Sequence, residues 1–342
     1  MITKEQETLP KTHAPWQARL AGLTVGTPRR HGSLCVYPLL GDTQIGTQGA
    51  NAYCLLEEAL LAGTLTVEET ELGGTVPILR LTNTGAERVL LLDGEELVGA
   101  KQNRIVNTTV LVDAHTTLSL PVTCLEAGRW RQDTARFASN GSHYNARGRQ
   151  KKVAEVSEAL ARSGRADADQ NRVWSDIDDK LSRMAVPAPT NALHEVTRTY
   201  AGDLQAYQNA LAAPMPGQVG ALFALGRDLI GLDCFDQSRM LAALLPKLVA
   251  SYALDALEER TPEAAPPVPV AEGWLTMLAG AEAVRHAAVG LGEDVRLSGP
   301  RMAGAALEYE GAALHLSAFA ASGPARGASP ATRMARPSVR RG

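Results

Sequence analysis

The 342-residue chain lacks an apolar core in its opening stretch MITKEQETLPKTHAPWQARL, and no later run approaches the roughly 18 consecutive apolar residues of a bilayer span. It also lacks a C-x-x-C pair. These absences predict a cytoplasmic protein without membrane contact, thiol-held zinc or a redox dithiol. Cys35, Cys54, Cys124 and Cys234 stand far apart in apolar surroundings and read as free, mostly buried thiols. Charge of either sign is not in excess. Thirty-four basic and 37 acidic residues leave a formal net charge of -3, too weak a field to steer nucleic acid or anionic lipid, so no nucleic-acid partner is expected. His13, His31, His115, His143, His194, His286 and His315 are scattered singly, without H-E-x-x-H or H-x-H spacing. No metal site is expected, and no cofactor is assigned. Gly290-Leu291-Gly292 lacks the third glycine of a dinucleotide fingerprint, and neither a Walker loop nor a G-x-S-x-G elbow occurs.

What is present is β texture, then helix, then a mixture. With 45% apolar residues the chain can bury one large core or two smaller ones. Residues 1–18 read as a flexible arm. Residues 19–130 are β-rich: LCVYPLL, TLTVEE, VPILRLTN, RVLLL, TTVLV and TLSLPVTCL are short apolar or alternating runs, punctuated by Asn83-Thr84-Gly85, Asp93-Gly94 and Asp113-Ala114-His115. LLEEALLAG at 55–63 is the exception, a short helix closed by Gly63. Strands at this spacing predict a β-sandwich-like or partly open barrel arrangement.

Residues 145–213 read as helical. Leu193, Val196, Tyr200, Leu204, Tyr207 and Leu211 advance by threes and fours, and Val173, Trp174, Ile177, Leu181 and Met184 form a second stripe. Residues 218–319 read as mixed α/β. A hairpin over GALFALG-RDLIGLDCFD is followed by the helix SRMLAALLPKLVASYALDALEE, capped by Asp236 or Ser238, in which Pro246 should force a kink or restart. A Pro-rich connector over 261–273, a helix over WLTMLAGAEA and four strands complete this part, with Glu310-Gly311 turning the last pair. The tail 320–342 carries five arginines and no acidic residue and reads as disordered. The fold class expected is therefore α+β.

Polar chemistry concentrates between Leu91 and Trp130, where Glu95, Glu96, Lys101, Gln102, Asn103, Arg104, Asn107, Glu126 and Arg129 crowd between apolar runs. Burying an unpaired guanidinium costs several kcal/mol, so Arg104, which parity places with Val106, Val110 and Val112, needs a partner. Two partners fit: a carboxylate among Glu95, Glu96 and Glu126, or an anionic ligand matched to the guanidinium fork. Asn103, Asn107 and Thr109 share the opposite parity, and Gly99-Ala100 suggests a bulge aiming Lys101 and Gln102; a pocket wall and a guarded strand edge both fit. Cys124 alternates with Leu118, Leu120 and Val122, which places its thiol in the core and argues against a nucleophile. Glu126 and Arg129 lie where the chain leaves the sheet, with a local pair as the plainer reading. Asp167, Asp169 and Asn171 match the start of a calcium loop, but Arg172 occupies its glycine position and Asp178 replaces its glutamate. A solvated helix face fits better.

DGEELVGAKQNRIVNTTVLV, LPVTCLEAGRW and LIGLDCFD with LLPKLVASYALDAL resemble, in order, a bacterial family named for its association with ADP-ribosylglycohydrolases and rhodanese-like phosphatases, the ARPP family. The resemblance covers about residues 20–319 and implies a place in NAD- or ADP-ribose-linked metabolism or conflict systems. It transfers no established catalytic residue. Gly94, Glu95, Gly99, Gln102, Arg104, Glu126, Gly128, Arg129 and Trp130, with Asp233, Phe235, Pro246 and Lys247, look like its hallmark positions.

Two functions follow as expectations. In the first, the domain binds or processes a phosphorylated nucleotide-type metabolite, a small anionic partner, with Lys101, Gln102, Asn103, Arg104, Asn107 and Arg129 binding it and Glu95 or Glu126 as acid or base. In the second, the same residues form a structural polar network in a non-catalytic module that binds a protein partner.

Overall fold

The computed structural model describes residues 13–42, 52–70, 77–100, 102–127 and 136–321. The fold is α+β. Its largest element is a nine-stranded antiparallel sheet ordered Thr24–Val25, Leu34–Leu40, Gln218–Leu225, Asp228–Phe235, Ala312–Ala320, Met302–Tyr309, Glu293–Gly299 and Glu282–Ala287, with Arg29–His31 also paired to Leu34–Leu40. A strand from the β-rich N-terminal region thus lies beside strands from the last third: Tyr37 is opposite Leu222 and Val36 opposite Phe223. Expected as separate stretches, the two regions form one sheet.

Both faces of this sheet are covered, which explains why its strands read as continuous apolar runs. Val36, Ala221, Phe223 and Leu225 face the long helix Ser238–Glu259, whose Tyr252 ring stacks on Phe223 at 3.8 Å between centroids. Cys35, Tyr37, Leu39, Leu222 and Ala224 face Trp16, Leu20, Trp274 and Leu278 from the helices Pro15–Ala21 and Val268–Ala279. The first of these helices begins inside the segment expected as a loose arm. Trp16 is 1% exposed and its backbone N–H donates to the Glu308 carboxylate, so residues 15–18 are docked, and residues 1–12 lie outside the described residues.

A six-stranded sheet runs Phe137–His143, Glu95–Gly99, Arg104–Val106, Thr117–Cys124, Ile78–Asn83 and Leu65–Glu69. A three-stranded one runs Val110–Val112, Arg88–Leu91 and Tyr53–Leu55. Val67, Leu81, Leu97, Val106 and Val122 from the larger share an apolar cluster with Val89, Leu91, Val110 and Val112 from the smaller. Leu90 and Leu92 point the other way, into the core under the nine-stranded sheet. The RVLLL run is apolar throughout because it separates two cores.

The helices Ala146–Ser163, Gln170–Arg183, His194–Thr199 and Ala201–Leu211 fill the middle. The 193–211 stripe is two helices rather than one, broken at Tyr200, whose hydroxyl donates to Met184 O at 3.1 Å. Pro246 does not break Ser238–Glu259: the helix is continuous over 22 residues, and its cap position is Gln237 rather than Asp236 or Ser238. By length and composition this helix could cross a bilayer, yet 72% of its most apolar window is buried in the protein, where it forms the core. Asp169, expected as solvated, caps Gln170–Arg183 by accepting from the N–H groups of Asn171 and Arg172.

Candidate functional site

The turn at Asp93-Gly94 places the chemistry. Gly94 takes φ +90, and a Cβ there would meet His143 Cε1 at 2.7 Å and Arg149 Cγ and Cδ at 3.1 Å, so a side chain is excluded twice over. Its N–H donates to Val106 O and its carbonyl accepts from Tyr144 N–H, which pins the turn between strand Arg104–Val106 and the start of helix Ala146–Ser163.

Around that turn lies a buried ionic network. Arg149 donates two bonds to Asp233, at 2.7 and 3.0 Å, with both side chains fully buried. His315 Nε2 lies 3.2 Å from the same carboxylate and its Nδ1 2.9 Å from Thr109 Oγ1, while Thr109 Oγ1 accepts from Asp93 N–H at 3.2 Å. The self-consistent assignment is a neutral His315 that donates through Nε2 and accepts through Nδ1. Lys152 bonds Asp93 and donates to the carbonyls of Val106 and Asn107, both at 2.9 Å. Lys247, from the long helix, bridges Glu95 at 2.9 Å and Glu57 at 2.8 Å, and Glu95 also accepts from Leu92 N–H. Burial raises Asp233, and the bonds to Arg149 and His315 reverse this, holding its carboxyl well below the usual carboxylate range.

Strand alternation sends the neighbouring carboxylate the other way. Glu96 is 2% exposed and accepts from Asn103 Nδ2 at 3.3 Å and Asn140 Nδ2 at 3.4 Å, both neutral amides. Burial, reinforced by the nearby charge of Glu126 and only partly offset by the amides, pushes Glu96 up to about 7. Glu126 is also 2% exposed and accepts from Thr190 Oγ1 at 2.7 Å. Asn103 Nδ2 reaches His194 Nδ1 at 3.5 Å, and His194 Nε2 lies 3.1 Å from Glu195. Asn140 is exposed and His194 partly so, which leaves Glu96 one side chain from solvent.

The residues expected at a site are distributed over these two groups. Glu95 joins Lys247 in the ionic network, whereas Glu126 and Asn103 join Glu96. Arg104 is 0% exposed; its carboxylate partner is Glu69, at 3.2 Å, instead of Glu95, Glu96 or Glu126, and it also donates to Gln102 Oε1 at 3.3 Å and contacts Cys124 Sγ. Burial raises the Cys124 thiol to about 11, against the pull of Arg104. Asn107 donates to Ala166 O and accepts from Thr123 Oγ1, a tie between strand and helical section. Lys101 and Arg129 lie outside the described residues, as do Gly128 and Trp130. Arg149 and Lys152 were missed, although a signal for them exists: they fall in register with Val153, Val156 and Leu160 on the buried face of their helix. Asp233, inside the apolar run LIGLDCF, carries the same mark.

Fold and site together define an α+β protein in which a buried ionic network locks a helix to two sheets, beside a compact carboxylate and amide site. Among the described residues no group of histidine, cysteine, aspartate or glutamate is arranged to hold a metal ion. The chain belongs to the family described as ARG and Rhodanese-Phosphatase-superfamily-associated Protein domain, the ARPP family, whose profile matches residues 22–319. No curated protein and no solved structure matches it. Residues from separate thirds of the chain meet in the fold: Glu95 binds Lys247, and Asp233 binds the Arg149 that packs on Gly94.

Proposed function

We propose that this protein binds and processes a phosphorylated nucleotide-type metabolite linked to NAD or ADP-ribose, with Glu96 transferring the proton and Glu126 as its charged neighbour. The observation that carries the reading is Glu96 itself: a buried carboxyl held by two neutral amides, beside a second carboxylate and poised near neutrality, where an acid-base group is most effective. The substrate class rests on what the family resemblance implies, an association with ADP-ribosylglycohydrolases. In this reading Asn103, Asn140 and the partly exposed His194 orient the ligand beside Glu96.

The test is a thermal-shift and turnover screen with NAD, ADP-ribose and free nucleotides. A ligand at 100 times its dissociation constant stabilises by about 2.7 kcal/mol, roughly 5–10 °C for a domain of 150–250 residues. Turnover should follow a group titrating near 7 and disappear in Glu96→Gln. Absence of both a shift and turnover with every compound would sink the proposal.

One observation favours the second reading, a structural polar network in a protein-binding module. Arg104, the cation best suited to a phosphate, is fully buried and engaged by Glu69 and Gln102. On that reading Glu96→Gln leaves every binding property of the chain unchanged.

A further inference from the structure

A cavity of about 230 Å³ lies at the start of helix Ala146–Ser163, where Gln170–Arg183 and the end of Ser238–Glu259 approach it. It shares no residue with the Glu96 site. Tyr144 lines it and is 1% exposed. The backbone of Tyr144 is fully engaged: its N–H donates to Gly94 O, and its carbonyl accepts from Ser251 Oγ and His143 Nδ1. Its hydroxyl bonds to no described residue and is not sealed in the core, so it is free to meet a ligand in the cavity.

The position of that hydroxyl is built. A Cβ on Gly148 would lie 2.3 Å from Tyr144 Cζ and 2.8 Å from its hydroxyl oxygen, so the ring occupies the space a side chain would need. Around it the charges cancel in pairs. Arg147 bonds Glu259 at 2.8 Å and Lys151 bonds Asp176 at 2.6 Å. Lys180 bonds Glu258 and, at 2.9 Å, Asp255 behind it; Arg183 completes the balance on Glu258. Four cations and three carboxylates line the cavity, and the buried Asp255 behind Lys180 supplies the fourth negative charge, so the cluster as a whole carries no net charge.

Those pairs still leave Lys151 and Arg183 with N–H donors and Asp176 and Glu259 with lone pairs unengaged. A ligand that matches must donate and accept at adjacent positions while carrying no net charge, which is the property of a ring of hydroxyl groups. We propose that this cavity is a second binding site, independent of the Glu96 site, for a neutral polyhydroxylated ring of monosaccharide size. Its volume lies below the 300–1,000 Å³ or so of sites for drug-sized ligands, which suits a single ring better than a whole nucleotide.

The test is saturation-transfer NMR on the full chain with D-ribose and D-glucose, beside ribose 5-phosphate and L-serine. Saturable binding of a free sugar is expected, weakened about tenfold in Tyr144→Phe, the worth of one well-placed hydrogen bond, and weakened again in Asp176→Asn. Glu96→Gln should leave it unchanged, which separates this site from the proposed active site. Tyr144→Phe should not lower Tm, because the hydroxyl has no internal partner to lose. The proposal is overturned by no saturable sugar binding, by sugar binding indifferent to Tyr144→Phe, by a lower Tm in that variant, or by tighter binding of ribose 5-phosphate or serine than of ribose.

Discussion

Arg149→Met tests the buried network most directly, because it removes one partner of a fully buried pair while keeping much of the side chain's volume. Arg149 and Asp233 are both 0% exposed and joined by two bonds, and Asp233 would be left with His315 alone. Breaking such a pair from one side costs about 3–5 kcal/mol, since a carboxylate remains in the core without its counter-charge. Against a typical total of about 5–15 kcal/mol this removes a fifth to most of the stability. Urea unfolding should show a lower midpoint at an unchanged slope. The double variant Arg149→Met with Asp233→Leu removes both charges and should regain much of the loss. The pair is also linked to pH. Because Asp233 is held below its usual range when folded, its contribution is present above the unfolded carboxylate value near 4 and is lost as pH falls below it. The gap between parent and Arg149→Met should therefore narrow in acid. A cost below about 1 kcal/mol at unchanged slope, or a double variant less stable than either single one, would refute the reasoning.

Glu96 has the opposite linkage. Its folded value near 7 exceeds the unfolded value, so stability falls as pH rises between about 4.5 and 7, by about 3 kcal/mol in all; Glu96→Gln should be the more stable protein at pH 8 by chemical denaturation and should lose that slope. Gly94→Ala combines a positive φ with a 2.7 Å collision and should lower stability by about 2 kcal/mol or more, read from urea midpoints. Gln170 donates to Cys124 O at 2.9 Å and accepts from Cys124 N–H at 2.7 Å; Gln170→Ala should cost about 1–2 kcal/mol and speed hydrogen exchange at the end of strand Thr117–Cys124. Alkylation followed by mass spectrometry should modify Cys54, the one cysteine that is not fully buried, before Cys35, Cys124 and Cys234.

Element identity was largely legible because apolar spacing reports burial. The hairpin Gln218–Leu225 with Asp228–Phe235, the long helix and the last strands fall where their patterns put them. What the spacing does not carry is which core a face meets. Glu95 and Glu96 lie on one strand, and nothing in their own neighbourhood says that Lys247, some 150 residues on, claims Glu95 and leaves Glu96 among amides. Arg104 needs a carboxylate, and it has one, but Glu69 comes from a strand three places across the sheet. A proline removes one helical bond, which argues for a kink or restart at Pro246. Packing on both sides of that helix outweighs the local loss, and the Pro246 carbonyl gains Gln208 as donor at 3.0 Å.

The pairing of Leu34–Leu40 with Gln218–Leu225 also sets an order of assembly. At about 5–20 residues per second, a ribosome needs on the order of 10–40 s to travel from one strand to the other. Throughout that interval the seven-residue run LCVYPLL has no partner on its inner edge and no helix Ser238–Glu259 to cover it. A nascent chain of this design is exposed to association through an unfinished sheet edge for most of its synthesis. Truncation anywhere before Ala320 removes part of the strand Ala312–Ala320 and leaves the sheet with an unpaired edge.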